Sequence, residues 1–111
     1  MDFTGKTIII TGSGGGIGEG YAKACAAKGM NVVIAELNEE AGNRVANEIN
    51  ASGGSALFVA TDVGDEASAN ACADACVEKF GTINYLVNNA AIFGNMKIEG
   101  YLNVEMEYLE K

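Results

Sequence analysis

A run of glycines near the N-terminus has the position and composition of a phosphate-binding turn. Six glycines lie between residues 12 and 20, after the apolar β-type segment Thr7 to Ile10 and before a helical pattern. A strand, a glycine turn and a helix bring several backbone N–H groups and the positive end of a helix dipole to one spot, which favours an anion. Glycine suits such a turn because a side chain would keep a diphosphate away from the backbone.

The spacing of the glycines indicates the type of turn. The widespread dinucleotide-binding pattern has glycines at i, i+2 and i+5, and no three glycines here fit it. The pattern that fits is Gly12-x-x-x-Gly16-x-Gly18, and in it the chain resembles the short-chain dehydrogenase/reductase family. The resemblance implies that a cofactor contacts Gly12, Ser13, Gly14, Gly16, Ile17 and Gly18. A glycine-rich linker is the alternative, but a linker would not lead at once into a helical apolar pattern with a defined end.

An acidic residue follows the second predicted strand, Asn31–Ala35. Glu36 lies 24 residues after Gly12, and an acid about twenty residues beyond such a turn accepts hydrogen bonds from the adenosine ribose diol. A carboxylate repels the 2′-phosphate of NADP, and no Arg or Lys lies in residues 13–15 or just after Glu36, where Leu37 follows. We therefore predict NAD in preference to NADP, with Glu36 and Leu37 among the cofactor-binding residues. A surface acid without a ligand is the alternative for Glu36.

The third and fourth predicted strands also end in residues that match the family. Asp62-Val63 resembles a pair in which the acid contacts the adenine, and a helix N-cap is the alternative for Asp62. Asn88-Asn89-Ala90-Ala91 resembles the family motif Asn-Asn-Ala-Gly, with Ala91 in place of the glycine. The resemblance implies that Asn89, Ala90 and Ala91 lie against the cofactor and that side chains here tie neighbouring strands together. Ligands of open α/β sheets bind beyond the carboxyl ends of the strands, where these residues lie.

Strand-like and helix-like segments alternate along the chain. The predicted strands are Lys6–Thr11, Asn31–Ala35, Ser55–Thr61 and Ile83–Val87. The alternation predicts an α/β fold with a parallel sheet and right-handed crossovers, and the resemblance implies a Rossmann-like, doubly wound sheet of order 3-2-1-4. We predict a single domain over residues 1–111, cut within a helix that begins near Asn103. This indicates the N-terminal portion of a longer enzyme, and a stand-alone nucleotide-binding half is the alternative.

Helical periodicity predicts which helix faces are buried. The stripe predicted for the first helix is Ile17, Tyr21, Ala24, Cys25 and Lys28. The stripe predicted for the third helix is Ala69, Cys72, Ala73, Cys76, Val77 and Phe80. Gly20, inside the first helix, costs up to about 1 kcal/mol against alanine, and we expect a small residue there to let the helix lie close to the sheet.

Composition and charge exclude several classes of function. The formal net charge of −8 argues against nucleic acid as a partner, because phosphate contacts need basic clusters. The sequence shows no signal peptide and no apolar run near the roughly 20 residues of a membrane span. Three cysteines in helix-like segments indicate reduced thiols and favour a cytoplasmic location. Cys72 and Cys76 could share a metal by spacing, but without His or a second Cys pair we predict core packing and no metal site.

The catalytic pair that the resemblance implies is missing from the chain. The family transfers a hydride between a nicotinamide and a carbonyl or alcohol, with a Tyr as general acid/base and a Lys four residues later that lowers its pKa. None of the four tyrosines has a Lys at that spacing, and Tyr108 has Lys111 three residues later. We therefore predict no catalytic residue in these 111 residues, and no activity of this piece alone.

The prediction that results is an NAD-dependent oxidoreductase of the short-chain dehydrogenase/reductase type, represented by its cofactor-binding half. The resemblance implies a small alcohol or ketone substrate and a homo-oligomer. Two alternatives stay open at this point: a non-catalytic nucleotide-binding module, and an S-adenosylmethionine-dependent methyltransferase. The methyltransferase has glycines at closer alternate spacing and no use for Asn-Asn-Ala after the fourth strand.

Overall fold

The computed structural model describes residues 2–89, which form a four-stranded parallel sheet with helices against both faces. The elements are β1 (Thr7–Thr11), α1 (Gly16–Ala27), β2 (Asn31–Glu36), α2 (Glu39–Ala51), β3 (Ser55–Ala60), α3 (Glu66–Phe80) and β4 (Tyr85–Asn88). The strand order is β3-β2-β1-β4 and every pairing is parallel, so the predicted order is confirmed. Ala90, Ala91 and the helix predicted from Asn103 lie outside the described residues, and the single domain over 1–111 stays a prediction.

The central strands are buried on both faces of the sheet. Successive side chains of a strand point to opposite faces, so Ile8 and Ile10 pack with α1 and α2 while Ile9 packs with α3. The same division holds in β2, where Val32 and Ile34 join the first core and Val33 joins the second. The continuous β-branched runs of the sequence therefore supply two cores at once.

The helix ends follow the local sequence signals. The Asn38 side chain accepts a hydrogen bond from the Ala41 N–H at 3.0 Å, as an N-cap residue does. Gly29 and Gly81, which follow α1 and α3, both have φ of +86°, the left-handed conformation that favours glycine at a helix end. The ends of the strands lie within two residues of the predicted ones, which is the ordinary scatter of such assignments. Among residues 2–89, no helix combines the length and the apolar character needed to cross a membrane.

The predicted start of the fourth strand is wrong by two residues. Its ladder with β1 runs from Ile8 opposite Tyr85 to Thr11 opposite Asn88. Ile83, the predicted first residue, precedes the strand and is 36% exposed. Pairing with β1 therefore defines the strand, which begins at Tyr85 and includes Asn88 as its last residue.

The predicted buried face of α1 is wrong except at Cys25, which is partly buried against the first core, and that of α3 is right in part. The residues of α1 that are buried are Gly18 and Ala22, whereas Ile17 is 81% exposed and Tyr21 is 49% exposed. The inner face of α1 carries small residues: Gly18 lies against the Gly12 backbone and Ala22 packs in the first core, whereas Ile17 and Tyr21 point away. In α3 the centre of the stripe is buried, but Val77 is 46% exposed. Ala24, Lys28 and Ala69 are also exposed.

Candidate functional site

The glycine turn between β1 and α1 needs glycine for its backbone conformation at two positions. Gly12 has φ of +63° and Gly16 has φ of +57°, both in the left-handed region. The Gly12 N–H donates to the carbonyl oxygen of Ala35 at 2.9 Å, so the turn begins while the chain is still bonded to β2. Gly15 is the N-cap residue of α1 and offers no side chain to cap it. The first N–H groups of the helix therefore lie at the turn, in the arrangement that binds anions.

Gly14 is bonded on two sides by residues far away in the sequence. Its N–H donates to Oε1 of Glu36 at 2.9 Å, and its carbonyl oxygen accepts from Nη2 of Arg44 at 3.2 Å. The second carboxylate oxygen of Glu36, Oε2, accepts from the Asn38 N–H at 3.0 Å. Glu36 thereby connects the glycine turn to the start of α2, and its negative charge lies beside the turn.

The inner side of the turn is in close contact with the end of β4. A methyl group at Gly18 would collide with the carbonyl oxygen of Gly12, and it would lie 2.6 Å from the side-chain nitrogen of Asn89. That nitrogen donates to the Gly12 carbonyl oxygen at 3.2 Å. Thr11 Oγ1 donates to Oδ1 of Asn88 at 2.7 Å. These two hydrogen bonds join β4 to β1 and confirm the expected tie between neighbouring strands.

The other predicted cofactor residues lie at the same edge of the sheet but differ in the exposure and hydrogen bonding of their side chains. Ser13 is fully buried and its hydroxyl donates to the Ile10 carbonyl oxygen at 2.7 Å, so its side chain points into the protein. Ile17 and Leu37 are exposed apolar side chains, with 81% and 68% of their surface accessible. Asp62 accepts from the Gly64 N–H at 2.9 Å. The N-cap of α3 is Asp65, so the alternative interpretation of Asp62 as that N-cap is wrong.

A cluster of four charged residues connects α1, α2 and the turn, and sequence reasoning missed it. Arg44 forms ion pairs with Glu19 at 2.7 Å and with Glu48 at 3.0 Å. Lys23 pairs with the same two acids at 2.7 and 2.6 Å. A hydrogen bond from Arg44, and to a smaller extent one from Lys23, lowers the pKa of Glu19 to about 2. Each helix carries one of these pairs at spacing i, i+4, and this spacing was the signal available in the sequence.

The charged cluster places a cation beside the glycine turn. The sequence has no Arg or Lys in residues 13–15 or just after Glu36, and this absence alone predicts nothing there to neutralise a 2′-phosphate. Arg44 is nevertheless hydrogen-bonded to Gly14. Arg44 reaches the turn because α2 packs beside α1. A search among the sequence neighbours of the turn could not find it.

The cysteines of α3 belong to the core. Cys72 and Cys76 are buried with Ile9 and Val33 on the α3 side of the sheet, which confirms the predicted packing role. Burial raises the pKa of Cys76 to about 11, so this thiol stays protonated at neutral pH. Within residues 2–89, no group of three or more His, Cys, Asp or Glu side chains is placed to hold a metal ion.

Comparisons with known proteins point to one family. The family model described as short chain dehydrogenase matches residues 6–109. An uncharacterized oxidoreductase of Mycobacterium tuberculosis is 48% identical over 109 residues, which cover 98% of this chain and 44% of that protein. The chain therefore spans less than half the length of this relative.

Solved structures give the same match. The crystal structure of hydroxysteroid dehydrogenase from Escherichia coli superposes with a TM-score of 0.79 at 40% identity, over 81% of this chain and 38% of that one. The structure of 3-ketoacyl-(acyl-carrier-protein) reductase from Brucella melitensis, complexed with NADH, gives 0.75 at 44% identity over 81% and 36%. At these identities the likeness extends beyond fold to sequence.

Proposed function

Because the chain belongs to the short-chain dehydrogenase family, we propose that it is the NAD-binding half of an oxidoreductase acting on an alcohol or carbonyl substrate. The observation that carries this proposal is the carboxylate of Glu36, whose Oε1 accepts from the Gly14 N–H at 2.9 Å. The contact puts a hydrogen-bond acceptor beside the glycine turn, where an adenosine ribose diol would be held. The relative solved with NADH supports a nicotinamide cofactor.

The described residues fit a dinucleotide at this edge of the sheet. A side chain at Gly15 or Gly16 would meet nothing within 4 Å, so the outer side of the turn is open to a diphosphate. The N–H groups at the start of α1 would bind its oxygens. Ile17 and Leu37 offer exposed apolar surface to the flat rings of the cofactor. When bound, the nicotinamide supplies or accepts the hydride.

Further residues complete the proposed cofactor site. Asp62 and Val63 at the end of β3 are proposed for the adenine, by resemblance to the family. Asn89 is proposed beside the turn, where its side chain already contacts Gly12. The backbone is proposed to approach the cofactor closely at Gly12, Gly14 and Gly18, and Ser13 is proposed to contact it through its backbone. Ala90 and Ala91 remain proposed cofactor contacts.

The balance of charges around the turn supports NAD over NADP. Arg44 is the cation bonded to Gly14, but its charge is shared with Glu19 and Glu48. Together with Lys23, these residues form a group of two acids and two bases with no net charge. The carboxylate of Glu36 is then an unbalanced charge bonded to the glycine turn, and it would repel a 2′-phosphate.

Catalysis is proposed to need residues beyond this chain. The 111 residues contain no Tyr followed four positions later by Lys, and the M. tuberculosis relative is more than twice as long as the matched segment. We expect the chain alone to be inactive, since its sequence lacks the Tyr and Lys pair that would exchange a proton with a substrate hydroxyl. A small alcohol or ketone substrate, a homo-oligomer and a cytoplasmic location complete the proposal. The three free thiols support that location.

Titration of the natural gene product with NADH, NADPH and S-adenosylmethionine tests the proposal. We expect saturable NADH binding, weaker NADPH binding and no S-adenosylmethionine binding. The same protein should oxidise secondary alcohols with NAD, and a chain ending at Lys111 should not. NADH binding without turnover in the complete protein would favour the non-catalytic nucleotide-binding module. Failure to bind NADH would reject the proposal, and tighter NADPH binding would reject the role of Glu36.

A further inference from the structure

The carbonyl group of Gly14 accepts a hydrogen bond from a side chain of α2, outside the motifs that define the turn. Nη2 of Arg44 lies 3.2 Å from this oxygen. The two residues are 30 positions apart. Arg44 therefore acts on the glycine turn across the gap between two helices.

A bond to this oxygen also sets the direction of the next N–H group. The Gly14 carbonyl and the Gly15 N–H belong to one planar trans peptide, in which they point in opposite directions. With the oxygen directed at Arg44, the Gly15 N–H points away from α2. The peptide between Ser13 and Gly14 is also fixed by a side chain, since the Gly14 N–H donates to Oε1 of Glu36 at 2.9 Å. Both peptides that flank Gly14 are thus held by side chains.

The guanidinium is itself held in place by the acids of the charged cluster. Oε1 of Glu19 accepts from Nη2 of Arg44 at 2.7 Å and Oε2 accepts from Nη1 at 3.2 Å, a paired arrangement that suits the planar guanidinium. Glu48 accepts from Nη1 at 3.0 Å. With two acids fixing its plane, Arg44 can present one N–H to Gly14 in a single orientation.

We propose that Arg44 is a positioning residue for the cofactor. It fixes the peptide between Gly14 and Gly15 in the orientation that directs the Gly15 N–H toward the bound diphosphate. This inference rests on the proposed function, because it assumes that the dinucleotide binds at the glycine turn. Its physical basis is pre-organisation: a turn already held in its binding conformation loses less entropy when the ligand binds.

Lys23 provides a matched control. It belongs to the same cluster and contacts the same two acids, and its side chain is 39% exposed against 47% for Arg44. Its hydrogen bonds go to Glu19 and Glu48 and not to the turn. Arg44→Met and Lys23→Met each remove one cation from the cluster, but Arg44→Met alone removes the bond to Gly14.

The test compares NADH dissociation constants of the two variants in the natural gene product. We expect Arg44→Met to weaken NADH binding about three- to tenfold, the effect of losing one charge-assisted hydrogen bond in a half-exposed site. Lys23→Met should change it less than about twofold, because a surface ion pair contributes little by itself. Unfolding midpoints should fall by similar amounts in both. Equal losses of affinity would overturn the proposal, since the cations would then act through the stability of the cluster.

A second measurement separates this inference from the proposed function. Amide hydrogen exchange in the segment 12–18 is recorded without any cofactor at the hydrogen-bonded N–H groups of Gly12 and Gly14, because exchange there reports local opening of the backbone. Arg44→Met should speed exchange in this segment about three- to tenfold, and Lys23→Met should leave it at the wild-type rate. If wild-type protein fails to bind NADH, the proposed function fails. The exchange rates then decide alone whether Arg44 holds the turn, and equal rates in both variants would show that it does not.

Discussion

The two sides of the segment from Gly12 to Gly20 differ in how tightly they are surrounded. On the inner side, Gly18 lies against the Gly12 carbonyl and the Asn89 amide, and Gly14 lies against the side chain of Glu36. On the outer side, a side chain at Gly15, Gly16 or Gly20 would meet nothing within 4 Å. One glycine-rich pattern therefore meets two separate needs. Inner glycines let backbone and side chains approach, and outer glycines leave room for a ligand.

The largest effect should come from filling the inner side. Gly18→Ala places a methyl group against the Gly12 carbonyl oxygen, a backbone atom that cannot move independently of β1. We expect a loss of about 1–3 kcal/mol in the free energy of unfolding, the usual cost of overpacking, together with loss of NADH binding. Chemical denaturation and NADH titration measure the two effects. An unchanged denaturation midpoint would show that the turn can shift away from α1.

The next effect concerns the charge that Glu36 places beside Gly14. Glu36→Gln keeps an oxygen to accept from the Gly14 N–H but removes the negative charge. We expect the ratio of NADPH to NADH dissociation constants to fall about tenfold, equivalent to roughly 1.4 kcal/mol, because a 2′-phosphate is then no longer repelled. Glu40→Gln, which removes an exposed charge in the first turn of α2, should leave the ratio unchanged. A ratio that moves equally in both variants would show a general effect of net charge.

A smaller effect of opposite sign is expected on the outer side. Gly20 lies in the interior of α1, exposed and with open space around it, so the prediction that it lets the helix approach the sheet is wrong. Gly20→Ala should raise the free energy of unfolding by up to about 1 kcal/mol, since alanine is the better helix former. Thermal and urea unfolding would show this. Destabilisation by this variant would mean that the outer side of α1 is also covered.

The smallest effect is the pH dependence of the charged cluster that holds Arg44. The pKa of Glu19 is lowered from 4.5 to about 2 by hydrogen bonds from Arg44 and Lys23. A lowered pKa in the folded state stabilises the protein above pH 4.5, and this stabilisation disappears as the pH falls toward 2. The difference in unfolding midpoint between wild type and Glu19→Gln should therefore shrink over this range. A difference independent of pH would show that the Glu19 charge does not stabilise the fold.

Local patterns and the family resemblance together predicted most of the fold. The resemblance implied the strand order, and the helical periodicity of α3 predicted the burial of Cys72 and Cys76. The inner face of α1 could not be predicted in this way. Helical periodicity picks out a stripe of large apolar side chains, whereas the residue of α1 that lies closest to the turn is Gly18, which has no side chain. The position of Ser13 in the glycine motif gave no sign that its hydroxyl turns inward to Ile10.

What the sequence determined by itself is the chemistry available at the ends of the strands. Strands and helices depend on interactions between residues a few positions apart, so their alternation places the glycine turn, Glu36, Asp62 and Asn89 at one edge of the sheet. Tertiary structure alone decided that Arg44 reaches the carbonyl of Gly14. That contact spans 30 residues and depends on how α2 lies beside α1. It is set by the packing of both helices on the same face of the sheet, which no pattern within either helix contains.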